Sequence, residues 1–132
     1  MRYDKHAIIE MTEKNKPFFR QVADEMLDAE TARHIEEQEA ALRQHPDWAD
    51  GHYHLAQLYR VQQRPDLAKR ELLTAIEKDP ALANAHVALG EIYITEDDLE
   101  RAREHAEFAA AFGNRRLLDQ MQRWGIAGPA SE

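Results

Sequence analysis

His52 and His54 flank Tyr53 in the segment GHYHLAQLY (residues 51–59), and closely spaced histidines are a common sign of a metal site. On a helix, residues two apart point about 200° away from each other, so these two side chains cannot bind the same ion. A shared ion would require the i, i+4 spacing, which no pair of histidines in this chain has. We therefore predict no metal site. We expect His52, and His86 in the similar segment AHVALGEIY (residues 85–93), to be partly buried, hydrogen-bonded side chains of the scaffold.

The rest of the sequence offers little support for catalysis. The chain has no cysteine, and its only serine is Ser131. It contains no phosphate-binding glycine loop, no dinucleotide-binding fingerprint and no zinc-protease motif. Carboxylates are numerous, but we expect most of them on solvated helix faces. We therefore predict that the protein is not an enzyme, has no catalytic residues and uses no cofactor.

Composition and charge exclude further classes of protein. The 132 residues carry a formal net charge of −8, with 32% charged and 43% hydrophobic residues. No basic stripe offsets this negative charge, so we predict no binding to nucleic acid. No apolar run reaches the length of a signal peptide or a membrane span. We therefore expect no membrane association and, by default, a cytoplasmic location.

Proline and glycine divide the chain into helical segments. Residues 1–16 are polar apart from a small apolar group, and the sequence leaves open whether this N-terminal arm is mobile or folds back. Pro17 suits a first helical turn, and residues 18–44 contain neither glycine nor proline. One long helix and a helical hairpin with a break at Asp28–Thr31 both remain open, and we favour the hairpin. Further helices are predicted near residues 49–62, 66–78, 83–95, 99–112 and 115–125, followed by a tail at 126–132.

Residue types repeat at an interval of 34 across the middle of the chain. The matching pairs are His52/His86, Leu55/Leu89, Tyr59/Tyr93, Ala68/Ala102, Ala75/Ala109 and Pro46/Pro80, and Ala56 matches the equally small Gly90. Two antiparallel helices approach closely where small residues meet, and large residues fill the remaining volume. Proline then ends the second helix. The spacing predicts two consecutive helical hairpins, each with an apolar flank that a neighbour must cover.

These residues resemble the tetratricopeptide repeat, a family of 34-residue helix–turn–helix units. The segments HYHLAQLY and LAKRELLTAIEKDP match the family pattern on both helices. HVALGEIY matches the first helix again, whereas Ala106 and Asn114 depart from the pattern of the second. The resemblance implies an all-α fold, a short right-handed α-solenoid of antiparallel hairpins with a C-terminal capping helix. The single domain, residues 17–125, then comprises a degenerate hairpin (17–48), two repeats (49–82 and 83–114) and the capping helix (115–125).

A second stripe runs along the first helix of each hairpin, away from the packing face. Its members follow the spacing i, i+3, i+7, i+10. The resemblance implies that this stripe lines a concave groove that receives a peptide or a partner segment, with apolar anchors at Tyr53, Val87 and Ile94. The predicted groove residues are Asp50, Tyr53, Gln57, Arg60, Asn84, Val87, Glu91 and Ile94.

The predicted function is therefore non-catalytic binding of a protein or peptide partner, in an adaptor or assembly role. The alternative is a self-associating structural module, a homodimer formed through the N-terminal helices or through the face of the last helix that carries Trp124. Because two repeats are too few to bury a continuous core, the flanking segments must close its ends. We expect Leu117, Leu118, Met121 and Trp124 to cover the last hairpin.

Overall fold

A computed structural model describes the backbone of residues 16–126 and the side chains of residues 21–126. Within these residues the chain is all-α, as predicted, with six helices and no strand. The helices are α1 (Lys16–Gln44), α2 (Ala49–Val61), α3 (Pro65–Lys78), α4 (Ala83–Thr95), α5 (Leu99–Ala111) and α6 (Arg116–Arg123). No helix of this part of the chain is both long enough and apolar enough to cross a bilayer. Nearly all of the predicted N-terminal arm and tail lies outside the described residues.

The N-terminal segment is one continuous helix of 29 residues, so the hairpin expected over residues 17–48 is wrong. Without glycine or proline between residues 18 and 44, nothing in the segment forces a break. Thr31, at the end of the predicted break, is instead buried within the helix, and it is the first buried residue of the described part of α1. Ile35 and Leu42 form a small apolar cluster there with Leu55. The C-terminal half of α1 therefore covers one side of the α2–α3 hairpin.

The α2–α3 and α4–α5 hairpins have the same backbone connections at positions 34 residues apart. In the first turn the N–H of Arg64 donates to the carbonyl of Tyr59 at 2.9 Å, and in the second the N–H of Asp98 donates to that of Tyr93 at 2.9 Å. Each turn also contains one residue with positive φ that is not glycine, Gln63 (58°) and Asp97 (59°). The two turns therefore reverse the chain in the same way.

Residues 34 positions apart in the two hairpins are also buried to a similar extent in most cases. Leu55 and Leu89 are both buried, as are Ala56 and Gly90. The pairs Ala68/Ala102, Leu72/Ala106 and Ala75/Ala109 are fully buried where the two helices of each hairpin meet. Small residues at these contacts let the helix backbones approach closely. The expected similarity of environments is therefore confirmed for Leu55/Leu89, Ala56/Gly90, Ala68/Ala102 and Ala75/Ala109. It is wrong for Tyr59/Tyr93, because Tyr59 is half-buried and donates to Glu39 whereas Tyr93 is buried and stacks on His105.

Helix α6 closes the second hairpin. Leu117 (1% exposed) and Met121 (0%) belong to the main core, as predicted, and Leu118 packs against its margin. Trp124 does not join them and is 55% exposed, so that part of the prediction is wrong. The helix ends at Arg123 and the chain turns at Gly125, whose φ is 74°, so Ile126 packs against the core instead.

Gly90 lies where α4, α5 and α6 meet, and we predict that Gly90→Ala destabilises the protein by about 1–2 kcal/mol. An added Cβ would clash with Cδ2 of Leu117 and would lie 3.2 Å from the carbonyl oxygen of Ala102. Overpacking typically costs about 1–3 kcal/mol, which the better helix propensity of alanine partly offsets by up to about 1 kcal/mol. Urea unfolding measures the difference. The same substitution in a Leu117→Val background, which removes the clashing carbon, should cost less; an equal cost would contradict this explanation.

Candidate functional site

The two predicted stripes lie side by side on α2 and α4. Nη1 of Arg60 on α2 is 3.6 Å from Oε1 of Glu91 on α4, and about a third of each side chain is exposed (30% and 31%). Because exposed ion pairs contribute little stability, this pair does not hold the helices together. It places a guanidinium and a carboxylate next to each other at a surface that a partner can reach.

A row of hydrogen bonds orders the α2 stripe. Nε2 of Gln57 donates to the hydroxyl of Tyr53 at 3.3 Å, and Nη1 of Arg60 donates to Oε1 of Gln57 at 3.2 Å. The ring of Tyr53 packs against the main core while its hydroxyl reaches the row. Asp50 lies exposed in the first turn of the helix, beyond this row. Three of the four predicted residues on α2 thus form one connected polar surface.

The α4 stripe is partly covered by α6. Nδ2 of Asn114 donates to Oδ1 of Asn84 at 3.1 Å, and Nη2 of Arg116 is 3.6 Å from Oε1 of Glu91. These two contacts lie on either side of Val87 along the stripe, and Val87 is only 2% exposed. Val87 is therefore part of the core, and the prediction that it anchors a partner is wrong.

Ile94, the last predicted residue of the α4 stripe, is half-buried and packs against the core, so only part of its side chain is accessible. Asp50 and Asn84 are exposed at the N-terminal ends of the two helices, and the connected part of the accessible surface is formed by Tyr53, Gln57, Arg60 and Glu91.

The structure adds residues that the sequence did not indicate. Arg60 stands at the edge of a cavity of about 300 Å³, which is lined by Arg60, Gln63, Pro65, Ile92 and Thr95. Arg116 is the second addition, because it shares Oε1 of Glu91 with Arg60. The basic start of the last predicted helix was visible in the sequence, but its position against α4 was not.

His52 and His86 each tie a helix to the loop before it. Nε2 of His52 lies 2.8 Å from the carbonyl oxygen of Pro46, and Nε2 of His86 lies 2.9 Å from that of Pro80. Nδ1 of His52 is 2.7 Å from Oε2 of Glu71. The prediction that these histidines are hydrogen-bonded parts of the scaffold is therefore confirmed. Among the residues that the structure describes, no three His, Asp or Glu side chains are grouped to hold a metal ion.

In the second hairpin, His105 occupies the position that Glu71 has in the first. Its Nδ1 lies 3.1 Å from Nδ1 of His86. Because Nε2 of His86 must donate its proton to the carbonyl of Pro80, Nδ1 of His86 accepts, and Nδ1–H of His105 donates. Burial, together with the neighbouring His86, lowers the pKa of His105 to about 4. His105 is therefore uncharged at neutral pH, which suits a structural role.

No protein-family model matches this chain, and no curated protein is significantly similar to it. A function for the chain is therefore inferred from the geometry of its own residues.

Proposed function

We propose that this chain is a tetratricopeptide-like protein, a short right-handed solenoid that binds a peptide or partner segment in its concave groove without catalysis. The support for the repeat is the agreement between the two hairpins, whose turns, buried alanines and histidine-to-loop hydrogen bonds recur at equivalent positions. In such solenoids the first helices of successive hairpins line the inner surface, and these are α2 and α4 in this chain.

The observation that carries the binding proposal is the polar row from Tyr53 through Gln57 and Arg60 to Glu91, which crosses from one hairpin to the next. Among the described residues, both polar contacts of Arg60 use Nη1. Its Nε and Nη2 protons are therefore left to donate to a partner. A guanidinium suits a carboxylate or a backbone carbonyl, since it donates several hydrogen bonds in one plane.

Charge favours an acidic or carbonyl-rich partner segment at this end of the groove. Glu91 lies between Arg60 and Arg116, so the three side chains together carry one net positive charge. The adjoining cavity of about 300 Å³, with Ile92 and Pro65 in its wall, suits a small apolar side chain of the partner. Tyr53 offers an aromatic surface further along the row, and tyrosine and arginine are frequent hot spots in interfaces.

A peptide selection tests this proposal. Peptides enriched from a random displayed library on the immobilised chain should lose affinity by roughly two orders of magnitude for the double variant Tyr53→Ala, Arg60→Ala, because two hot-spot side chains are removed. Fluorescence anisotropy with labelled peptides measures the affinities, and circular dichroism checks that helicity is unchanged.

The matched control is the double variant Arg70→Ala, Leu73→Ala, which truncates an exposed basic and an exposed apolar side chain on α3. It should bind the selected peptides as the wild type does. Equal affinity of the peptides for wild type and groove variant, or a loss only in the α3 control, would contradict the groove proposal.

A further inference from the structure

The N-terminal half of α1 extends from the body of the protein without a covering element among the described residues. Every residue from 21 to 30 is exposed except Val22, which is half-buried. Met26 and Leu27 are the most prominent, with exposed fractions of 68% and 53%. Burial begins only at Thr31, where α1 meets α2. Beyond this contact, Asp24, Leu27 and Asp28 border an open cavity with Val61, Gln62 and Gln63 at the C-terminal end of α2. The segment Lys16–Ala23 then continues for about two more turns of helix, or roughly 12 Å.

A helix of this length is marginal in water unless an apolar face is covered. The exposed segment has such a face, since Val22, Met26 and Ala29 follow the spacing i, i+4, i+7. Ala23 and Leu27 lie beside this stripe on the same helix, and the surface that they share with Met26 and Ala29 is open to solvent.

The charges of the segment are separated along its axis. Residues 16–20 include two basic residues and no acidic one, whereas residues 24–30 include four acidic residues and no basic one. A second copy lying antiparallel would bring each basic end against an acidic end. A parallel copy would place like charges together, which is unfavourable. A partner of one charge sign would match only half of the segment, whereas a second copy of this chain matches both halves.

We propose that this protein forms a symmetric homodimer in which the N-terminal halves of two α1 helices pair antiparallel, with their crossing near Ala23. The pairing is isologous, since each helix offers the same stripe and the same charge gradient to the other. The paired stretch is only about four turns long, so the dimer dissociates reversibly on dilution. The seam shares no residue with the surface around Tyr53 and Arg60, which lies on α2 and α4.

Sedimentation equilibrium of the full chain tests the dimer. The wild type should show a dimer mass that falls toward that of a monomer on dilution. Met26→Asp should weaken the dimer by about tenfold or more, because it replaces an apolar contact of the seam with a carboxylate that loses its hydration there. Since Met26 is exposed, the variant should keep the melting temperature of the wild-type monomer.

Leu73→Asp is the matched control, since it makes the same kind of change at an exposed leucine on α3. It should dimerise as the wild type does. A wild type that is monomeric at every concentration overturns the proposal. A dimer that survives Met26→Asp, or one that only the α3 substitution disrupts, also overturns it.

Disulfide cross-linking tests the antiparallel direction. Because the chain has no native cysteine, only the introduced thiols can form a disulfide. Glu30→Cys mixed with Lys16→Cys should give a disulfide-linked heterodimer on mild oxidation. Glu30→Cys alone should give little cross-linked product, because the two Glu30 positions lie at opposite ends of the seam. Efficient cross-linking of Glu30→Cys with itself would show a parallel pair and overturn the proposed arrangement.

Discussion

Truncation after Gly113, which removes α6, is expected to lower the free energy of unfolding by more than about 4 kcal/mol, since truncating one large core side chain typically costs about 2–5 kcal/mol. The deletion removes two such side chains, Leu117 and Met121, both fully buried. It also uncovers Val87 and Gly90, which α6 shields from water in the intact chain. Since domains of this size are commonly stable by about 5–15 kcal/mol, the truncated protein should melt at a much lower temperature or fail to fold cooperatively.

The control is truncation after Ile126, which keeps all of α6 and the hydrogen bond from the N–H of Ile126 to the carbonyl of Met121. This variant should melt close to the full chain. Thermal unfolding followed by circular dichroism compares the three proteins. An unchanged melting curve after truncation at Gly113 would mean that α6 does not close the core.

Prolines and turn-forming segments between the helices made most of the helix boundaries predictable. Pro46 and Pro80, at equivalent positions of the repeat, separate the hairpins, and α4 (Ala83–Thr95) begins and ends at the predicted residues. The repeat also predicted the shared burial of Leu55 and Leu89, because identical residue types at matching positions of a hairpin meet the same neighbours. These features depend on nearby sequence and on hairpin geometry alone.

Features that depend on tertiary packing could not be predicted in the same way. Asp28 and Thr31 can cap a helix, but they need not, and Thr31 is buried inside α1 instead. The burial of Val87 depends on where α6 crosses α4, and no spacing in the sequence specifies that crossing.

The contact between His105 and His86 follows the interval of 34 residues, but the residue types at these positions did not indicate it. Glu71 is the equivalent residue of the first hairpin, and it contacts His52 as His105 contacts His86. An acid and a histidine do not signal equivalence by type, however, so a search for identical residues passes over this pair. Only the shared contact with the preceding helix reveals it.

His105 makes the stability of the second hairpin sensitive to acid. Its pKa is lowered to about 4 in the folded protein, first by burial and then by His86, from an ordinary value of 6.5. Between these two values the unfolded chain binds more protons at this position than the folded chain does. The contribution to stability is therefore complete above pH 6.5 and is lost progressively as the pH falls toward 4. Over this window we expect a loss on the order of 2 kcal/mol from this group.

The surroundings of His105 offer little compensation for its charge. Nδ1 of His86 already accepts its proton, and the ring of Tyr93 stacks against the imidazole with centroids 5.6 Å apart. Lys69 of α3 and Arg101 of α5 lie over that tyrosine ring at 5.2 Å and 5.8 Å, and each is paired with a carboxylate, Glu96 and Asp98. Partial burial and the neighbouring His86 are therefore what oppose a positive charge on His105.

His105→Gln removes the titrating group and keeps an N–H donor for Nδ1 of His86. Urea unfolding at a series of pH values between about 4 and 7.5 should show that this variant loses less stability on acidification than the wild type, by on the order of 2 kcal/mol at the acid end. His34→Gln, which replaces an exposed histidine of α1, should retain the wild-type slope. Since carboxylate protonation affects all three proteins alike, the difference between the slopes isolates His105. Parallel slopes for His105→Gln and the wild type would show that His105 takes up its proton as readily in the folded state as in the unfolded one.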